Sequence, residues 1–492
     1  DGSRLGYRYR PGGELEGIDL NGQLLTRHQF DKGRERYRRQ GVLLSEYDYD
    51  DQGRLQTHRV RSDHRQLLQR QYHYDDSGNL SAIEDSRKGN RSFHYDPLDR
   101  LVAVRGDLPE SFAHDPAGTL LAQNGAAPEG LANVKGNRLL MQGDSHYDYD
   151  AFGNLVRERR GTGQKLVTEY HYDSQHRLIA ASLPDGRQVQ YRYDAFGRRI
   201  AKTVDGQTTE FLWQGERLIA ESGPTHYRSY VYEPGTFRPL ALLQGEGEAA
   251  GPFYYQLDHL GTPQELTSAG GQILWSVKYR AYGSLAKVEI AEIDNPLRFQ
   301  GQYFDAETGL HYNRHRYYNP GTGSFLTPDP IKLAGGLNNY QYVLNPTGWV
   351  DQLGLHSKRV QCPGKDGQSE DSSSEANVDE GSPPAPSATE VKWTPHGYKH
   401  VPPRNKEWPE VVKSTKSGPA KYKPGVDIEK TERGAYETGT PTTNGKPWKV
   451  QEYDEDIGAS EGKPSRWIRV ELSANTIHGH PISEAEFKRL KK

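Results

Sequence analysis

A nine-residue unit, aromatic-x-Tyr-Asp-x-x-Gly-x-Leu, recurs in the first half of this chain and restricts its fold more than any other feature. Aromatic and polar residues alternate in the unit, so both aromatic side chains lie on one face of a strand. The Asp-x-x-Gly segment supplies a turn, and the leucine begins the return strand. Stacked copies can bury one another's faces, as solenoid repeats do. Copies or close variants begin at Tyr47, Tyr72, Phe93, Phe112, Tyr147, Tyr170 and Tyr191.

The composition favours many short strands over a large aliphatic core. Hydrophobic residues make up 33% of the 492 residues and the mean hydropathy is −0.92, yet the chain contains 31 tyrosines and 53 glycines. Disordered chains are poor in aromatic residues, which argues against general disorder. No run approaches the ~18 apolar residues of a membrane helix, and a single cysteine, Cys362, excludes an intrachain disulfide. We predict a mostly β protein with two or more folded units.

The composition changes sharply after Leu355. Residues 356–390 are rich in Ser, Glu, Asp and Pro and nearly lack apolar side chains, which predicts a flexible linker. Residues 391–492 carry 19 Lys and Arg against 14 Asp and Glu, a net charge of +5, whereas the whole chain has a net charge of −3. We therefore predict a separate cationic domain over 391–492.

The repeats resemble the YD repeats of Rhs proteins, insecticidal TcC proteins and teneurins. The stretches 255–263 (YQLDHLGTP), 296–303 (PLRFQGQY) and 316–320 (RYYNP) resemble the Rhs-associated core in order and spacing. The resemblance implies a YD-repeat shell over 1–250, a strand spiral that forms part of a hollow β-cocoon around a toxin. It also implies an Rhs-associated core with an autoproteolytic segment over 251–355. Because the chain starts at Asp1 and its only methionine is Met141, we expect a fragment of a longer protein.

The end of this region resembles the self-cleavage segment of Rhs proteins. In that family, two aspartates 22 residues apart are associated with autoproteolysis after a final Gly-Leu, and Asp329 and Asp351 match them. The resemblance assigns Leu355–His356 as the scissile bond. Paired carboxylates can share a proton, so that one activates water as a base while the other protonates the carbonyl or the leaving amine. The alternative is that both aspartates only cap turns.

Three positions depart from the family pattern. Gln352 stands where proline is usual, Lys332 where glycine is usual, and Ser324 where arginine is common. The missing proline bears on the bend before the scissile bond. The missing arginine bears on the pKa of the two carboxyl groups.

Residues 391–492 contain signals for both helices and strands. The stretches 407–413 and 483–491 look helical, and the second begins with a capping-box pattern. Strand candidates are 448–453 and 466–472, the second of which alternates polar and apolar residues. We predict a small α+β domain.

Two close pairs of histidines mark the candidate site of this domain: His396 with His400, and His478 with His480. Histidine titrates near neutrality, so two of them can serve as base and acid in phosphoryl transfer, with Lys or Arg stabilising the phosphate charge. His478 and His480, two apart on a strand, would share a face. Basic residues of this kind also fit a solvated surface. The candidate phosphate contacts are Lys413, Thr415 and Arg469.

The stretches 475–483 (NTIHGHPIS) and 396–400 (HGYKH) resemble predicted ribonuclease toxins of the barnase, EndoU, colicin and RelE superfamily, often called BECR. The resemblance implies a ribonuclease that needs neither metal nor cofactor. Several alternatives stay open. The tail could be a four-histidine metallonuclease, or an ADP-ribosylating or DNA-cutting domain on the same shell. The shell could instead serve teneurin-like adhesion or carbohydrate binding, without enzyme activity.

The resemblance also implies a biological setting, interbacterial competition. The protein would be made in the bacterial cytoplasm and secreted through a type VI system, and its tail would act on RNA in the cytoplasm of the target cell. The implied partners are a cognate immunity protein, acidic to match the +5 tail, a VgrG-type spike protein and an Eag-type adaptor chaperone.

Overall fold

The computed structural model describes residues 2–63, 65–123, 132–245, 250–360, 392–393, 400, 402, 406–416, 418–442, 448–473 and 476–491. The chain divides into two compact units, Asp1–Asp371 and Ser372–Lys492. Among the helices in these residues, none is long and apolar enough to cross a membrane.

The larger unit begins with an antiparallel sheet whose strands each pair with the next in chain order. In the described residues its twelve strands are β1 Leu5–Tyr9, β2 Leu15–Leu20, β3 Gln23–Asp31, β4 Arg34–Gln40, β5 Leu43–Tyr49, β6 Leu55–Arg61, β7 Gln66–Tyr74, β8 Leu80–Asp85, β9 Arg91–Tyr95, β10 Leu101–Gly106, β11 Glu110–His114 and β12 Leu120–Gln123.

A second antiparallel sheet has the same up-and-down order. Its sixteen strands in the described residues are β13 Ala132–Lys135, β14 Arg138–Gln142, β15 Ser145–Tyr149, β16 Leu155–Arg160, β17 Leu166–Tyr172, β18 Leu178–Ser182, β19 Gln188–Tyr193, β20 Arg199–Val204, β21 Gln207–Gln214, β22 Arg217–Ser222, β23 Tyr227–Tyr232, β24 Pro239–Gln244, β25 Gly251–Leu257, β26 Pro263–Thr267, β27 Ile273–Tyr279 and β28 Leu285–Ala291.

Short elements complete the larger unit. One small sheet contains β29 Tyr303–Phe304, β30 His311–Asn313, β31 Arg316–Asn319 and β32 Ser324–Phe325, and a strand pair contains β33 Trp349–Val350 and β34 Lys358–Arg359. Two 3-10 helices are described, at Thr162–Gln164 and Lys332–Ala334.

The YD repeat forms the hairpins of both large sheets. In the copy that begins at Tyr72, this first tyrosine is buried, and the second, Tyr74, donates its hydroxyl to the carbonyl of Leu55 at 2.8 Å. Leu55 is the leucine of the preceding copy, so each unit is bonded to the one before it. The turn of that preceding copy is closed by Asp50, whose carboxylate accepts two backbone N–H groups, and by Gly53 at a φ of 84°. Three further tyrosine-to-leucine bonds repeat the contact: Tyr95 to Leu80, Tyr172 to Leu155 and Tyr193 to Leu178.

The two large sheets pack against each other through both apolar and charged contacts. Ile18 on β2 lies in one apolar cluster with Leu240 on β24. On β7, Arg70 is 2% exposed and donates to Asp85 and to Glu265 on β26, both at 2.7 Å. Glu265 is fully buried. The first sheet is thus closed onto the second by side chains far apart in sequence.

The smaller unit is an α+β fold. In its described residues, five strands form a sheet with the order β35-β42-β41-β38-β37, and β36, β39 and β40 form a second sheet. The elements are β35 Lys392–Trp393, α1 Trp408–Ser414, β36 Lys421–Tyr422, α2 Ile428–Thr438, β37 Thr440–Pro441, β38 Trp448–Glu452, β39 Gly458–Ser460, β40 Lys463–Ser465, β41 Trp467–Ser473, β42 Thr476–Ile482 and α3 Glu484–Lys491.

Two helices cover opposite faces of the five-stranded sheet. On one face, Ala435 of α2 packs with Ile468 and Val470, and on the other Phe487 of α3 packs with Val450. The predicted helices 407–413 and 483–491 match α1 and α3 within one residue at each end, and the two predicted strands match β38 and β41. Helix α2 was not predicted.

Candidate functional site

The segment 296–360 lies across the turns of the YD repeats. The hydroxyl of Tyr340 donates to the carbonyl of Gly153 at 2.9 Å, and Arg314 donates to that of Gly197 at 3.0 Å. Both carbonyls belong to Asp-x-x-Gly turns. The candidate processing residues therefore sit on a surface that the folded repeats provide.

Both predicted aspartates lie beside the guanidinium of Arg316, on β31. Its Nη2 donates to Oδ2 of Asp329 at 2.9 Å and lies 3.8 Å from Oδ2 of Asp351. The three side chains are buried, with exposed fractions of 1 to 4%. Further donations to the carbonyls of Gly354 (2.5 Å) and Asn339 (2.8 Å) hold the guanidinium in place. The structure thus brings together the two residues that the sequence pairs, around an arginine that sequence reasoning missed.

The bend before Leu355 forms without a proline. Oδ1 of Asp351 accepts the backbone N–H groups of Leu353 (3.3 Å), Gly354 (2.8 Å) and Leu355 (3.1 Å). The N–H of Gln352 is not among these three donors, and its side chain donates to Oε1 of Gln300 at 2.6 Å. The Asp351 carboxylate thus holds a bend at 351–355 although residue 352 is glutamine.

Burial governs the electrostatics of the carboxyl pair. Burial raises the pKa of Asp351, although hydrogen bonds from backbone N–H groups and the charge of Arg316 lower it. Burial also raises the pKa of Asp329, which the charge of Arg316 lowers. Burial also lowers the pKa of Arg316 to about 10. Oδ2 of Asp351 is buried and, within the described residues, accepts no hydrogen bond. Ser324 does not supply the arginine that is common at this position in the family, but Arg316 on β31 places a positive charge beside the pair.

The carbonyl group of Leu355, in the predicted scissile bond, lies close to Asp329. A β-carbon on Gly335 would overlap the Asp329 carboxylate and would also lie 2.6 Å from the carbonyl oxygen of Leu355. Both groups therefore face the same glycine, which lets them approach. Lys332, where the family usually has glycine, takes a φ of 55°, in the left-handed region that glycine tolerates best. This arrangement can bring a carboxyl group and a water molecule to the Leu355 carbonyl.

In the smaller unit the structure brings two of the predicted histidines together. The rings of His400 and His480 stack, with centroids 5.0 Å apart and planes 12° apart. His478 and His480 both lie on β42, opposite Glu471 and Arg469 of β41, so the strand gives them a common face as expected.

One ring nitrogen of His400 can be assigned. Nδ1 lies 2.7 Å from the carbonyl oxygen of Ala420. Because a carbonyl oxygen only accepts, Nδ1 carries the proton, and Nε2 is the nitrogen that takes up a proton in the neutral ring. His396 lies outside the described residues. Within the part of the chain that the structure describes, no cluster of three or more His, Cys, Asp or Glu side chains is arranged to hold a metal ion.

The three candidate phosphate contacts lie in different surroundings. Arg469 pairs in register with His480 and donates to Glu486 at 3.2 Å. Thr415 is 2% exposed, and its hydroxyl both donates to and accepts from backbone groups, at 2.7 and 2.9 Å. Lys413 is exposed on α1. Of the three, Arg469 is the one that the described contacts bring to the histidines.

A family model described as teneurin YD-shell matches residues 37–136 and 109–345. The chain belongs to the teneurin YD-shell family. The predicted Rhs/YD-repeat membership is thereby confirmed, and the mostly β fold of the YD-shell agrees with the sheets described above.

Two curated relatives are named as toxins. Double-stranded DNA deaminase toxin A of Burkholderia cenocepacia (strain H111) is 39% identical over 363 residues, 66% of this chain and 25% of the relative. Toxin protein Tse5 of Pseudomonas aeruginosa is 34% identical over 393 residues, 71% of this chain and 27% of the relative. The chain therefore spans about a quarter of the length of these relatives.

The crystal structure of TcdB2-TccC3-Cdc42 shares the fold. It superimposes with a TM-score of 0.52 at 20% identity, over 72% of this chain and 20% of that chain. The predicted strand-spiral shell is confirmed at the level of the fold.

Proposed function

We propose that this YD-shell chain is the C-terminal part of a secreted Rhs toxin that cleaves itself after Leu355 and so separates a C-terminal enzyme acting on nucleic acid. The observation that carries the proposal is the buried pair of Asp329 and Asp351 beside the Leu355 carbonyl. Relatives named as a DNA deaminase toxin, a probable deoxyribonuclease and a tRNA nuclease support a nucleic-acid target.

The two aspartates take different roles in the proposed cleavage. Asp329 has the shorter contact with Arg316, which favours its ionised form, so it acts as the base that takes a proton from water. The water oxygen then bonds to the carbonyl carbon of Leu355. Asp351 carries its proton on the buried Oδ2 and gives it to the nitrogen of His356 as the peptide bond breaks. The products are a carboxyl group on Leu355 and an amine on His356.

A denaturing gel and mass spectrometry test the cleavage. The purified chain should yield two fragments, and the smaller should begin at His356. Asp329→Asn and Asp351→Asn should leave a single chain, because a catalytic acid or base contributes about 10²–10⁴-fold to rate. Asp63→Asn, at an exposed position, is the matched control and should cleave normally. An intact wild-type chain, or fragments from both site variants, would refute the assignment.

For the C-terminal domain we propose metal-independent ribonuclease activity. The rings of His400 and His480 stack with their centroids 5.0 Å apart, which is close enough for the two imidazoles to act as base and acid on one phosphate group. Arg469, in register with His480, is suited to the phosphate. His478 lies on the same strand face, so either of the two strand histidines can meet the substrate.

Total RNA incubated with the cleaved chain in EDTA tests this activity. Degradation should be lost in His480→Ala and kept in His73→Ala, whose histidine is exposed on the shell. Intact RNA in EDTA but degradation with an added divalent metal would favour the metallonuclease. Deaminated or cut DNA with intact RNA would favour the chemistry that the names of two relatives state.

The remaining partners follow from the toxin proposal. We infer an acidic immunity protein that neutralises the +5 tail, a VgrG-type spike protein and an Eag-type chaperone in type VI delivery. If the domain is not toxic when expressed in bacteria and the chain stays intact, adhesion or carbohydrate binding by the shell becomes the better explanation.

A further inference from the structure

We propose that residues 356–360 stay docked on the YD-shell after cleavage and hold the new amino terminus of the C-terminal fragment there. We call these five residues the clip. The inference rests on the proposed cleavage at Leu355–His356. The surface that receives the clip consists of strand β33 and the YD turn at 75–79.

The clip is paired to the shell as a strand. Its strand β34 runs antiparallel to β33, with Arg359 opposite Trp349 and Lys358 opposite Val350. The N–H of the next residue, Val360, donates to the carbonyl of Gly348 at 2.9 Å. Main-chain bonds of this kind are independent of side-chain identity and let a short segment add to a sheet edge.

Arg359 anchors the clip on the YD turn. Its Nη2 donates to the carbonyl of Ser77 at 3.3 Å and to that of Gly78. A β-carbon on Gly78 would lie 2.7 Å from this nitrogen, so the glycine of the turn provides the space for the guanidinium. The side chain enters a groove bordered by Tyr74 and His259. A charged donor on two carbonyl groups is a specific attachment point.

None of these contacts depends on the scissile bond. The shell side of the cut is held separately, because Asp351 accepts the N–H of Leu355. The clip contacts 348–350 and 77–78, all before the cut. Hydrolysis therefore opens only the loop between β33 and β34 and turns a hairpin into a strand pair between two chains. Because β34 is short, we expect Arg359 to decide whether the pair persists.

Hydrogen exchange at the Val360 amide tests the clip. The full chain is compared before and after cleavage, and mass spectrometry follows a peptide that contains Val360. The clip predicts similar protection in cut and uncut chains and exchange at least about tenfold faster in cut Arg359→Ala, a change of about 1.4 kcal/mol. Lys358→Ala is the matched control. It alters the neighbouring exposed side chain and should leave protection unchanged.

A second route to the cut separates this inference from the proposed function. In Asp329→Asn, a recognition site for an added protease is inserted between Leu355 and His356. If the wild-type chain fails to cleave itself but the added protease leaves Val360 protected, self-cleavage is refuted and the clip stands. If protection is lost on cutting by either route, or if Arg359→Ala exchanges like the parent, the clip is refuted.

Discussion

Replacing Gly335 by alanine should block the proposed cleavage while leaving the shell folded. The backbone at Gly335 has a φ of −83°, which alanine adopts freely, so the effect is purely steric. The new methyl group would overlap the Asp329 carboxylate and lie 2.6 Å from the carbonyl oxygen of Leu355. These are the two groups that must meet for water to attack.

The magnitude follows from the displacement. To restore a contact of about 3.4 Å, the Leu355 oxygen must withdraw by roughly 0.8 Å, and Asp329 must move as well. A displacement of about 1 Å at a reacting group slows a reaction about 100-fold, equivalent to about 2.7 kcal/mol. Overpacking should also lower the free energy of unfolding by about 1–3 kcal/mol, too little to unfold a large domain.

Pulse-labelled cell-free synthesis followed by a denaturing gel measures the cleavage rate directly. Gly348→Ala is the matched control, because a β-carbon at Gly348, in the same segment, would meet no atom within 4 Å. Circular dichroism checks that both variants retain their strands. The reasoning fails if Gly335→Ala cleaves at the wild-type rate, or if Gly348→Ala is slowed as strongly.

Four further predictions concern stability. Tyr74→Phe removes the hydroxyl bonded to the preceding repeat and should lower the free energy of unfolding in urea by about 0.5–1.5 kcal/mol. Tyr72→Phe should be neutral or stabilising, since that hydroxyl is buried without a partner in the described residues. Arg70→Met should cost about 1.5–3 kcal/mol, with little dependence on salt, because it removes buried charged hydrogen bonds from Asp85 and Glu265 and leaves Glu265 with Lys88, at 2.9 Å. Burial raises the pKa of Asp351 in the folded chain above its value in the unfolded chain. The contribution of Asp351 to stability is therefore largest below the unfolded pKa and is lost as pH rises from the unfolded to the folded pKa. Asp351→Asn should therefore raise the melting temperature at pH 7 but not below about pH 4, and an equal shift at both pH values would contradict this.

The hairpins could be predicted from the sequence because their causes are local. The nine-residue unit contains its own strand alternation, turn and start of the return strand. The closure of the two sheets has no such signal. Arg70 and Glu265 are 195 residues apart, and each in isolation is an ordinary charged residue on a strand.

The processing site was predictable in part. The resemblance identified Asp329 and Asp351, whose spacing is a sequence property. Arg316 was not predicted as part of the site, although it is the first residue of the 316–320 motif. Only the fold of β31 directs its side chain to the two aspartates. The importance of Gly335 could not be predicted either, because it depends on the Asp329 carboxylate and the Leu355 carbonyl oxygen, which approach it only in the folded chain.

In the smaller unit, the strength of the local sequence signal decides which helices could be predicted. Helices α1 and α3 have recognisable starts. Helix α2 contains Gly434 and a mostly polar sequence, which weakens its periodic signal. Its start was nevertheless marked by Asp427, whose side chain accepts the N–H of Lys430. Thr415 was chosen for its place in a basic stretch, and burial within a folded unit cannot be read from such a stretch.

The position of the carboxyl pair makes the proposed cleavage depend on folding. Arg316 reaches Asp329 only when β31 is formed. Leu355 turns toward the carboxyl pair only when Asp351 accepts hydrogen bonds from the three N–H groups of 353–355. The segment that carries these residues is held by the YD turns, through contacts such as Tyr340 with Gly153. In an unfolded chain the aspartates are separate, solvated and ionised at neutral pH, and the Leu355–His356 bond is an ordinary peptide bond. Burial in the finished shell raises their pKa values and so allows one proton to be kept at the site. A chain with a misassembled shell should therefore stay uncut.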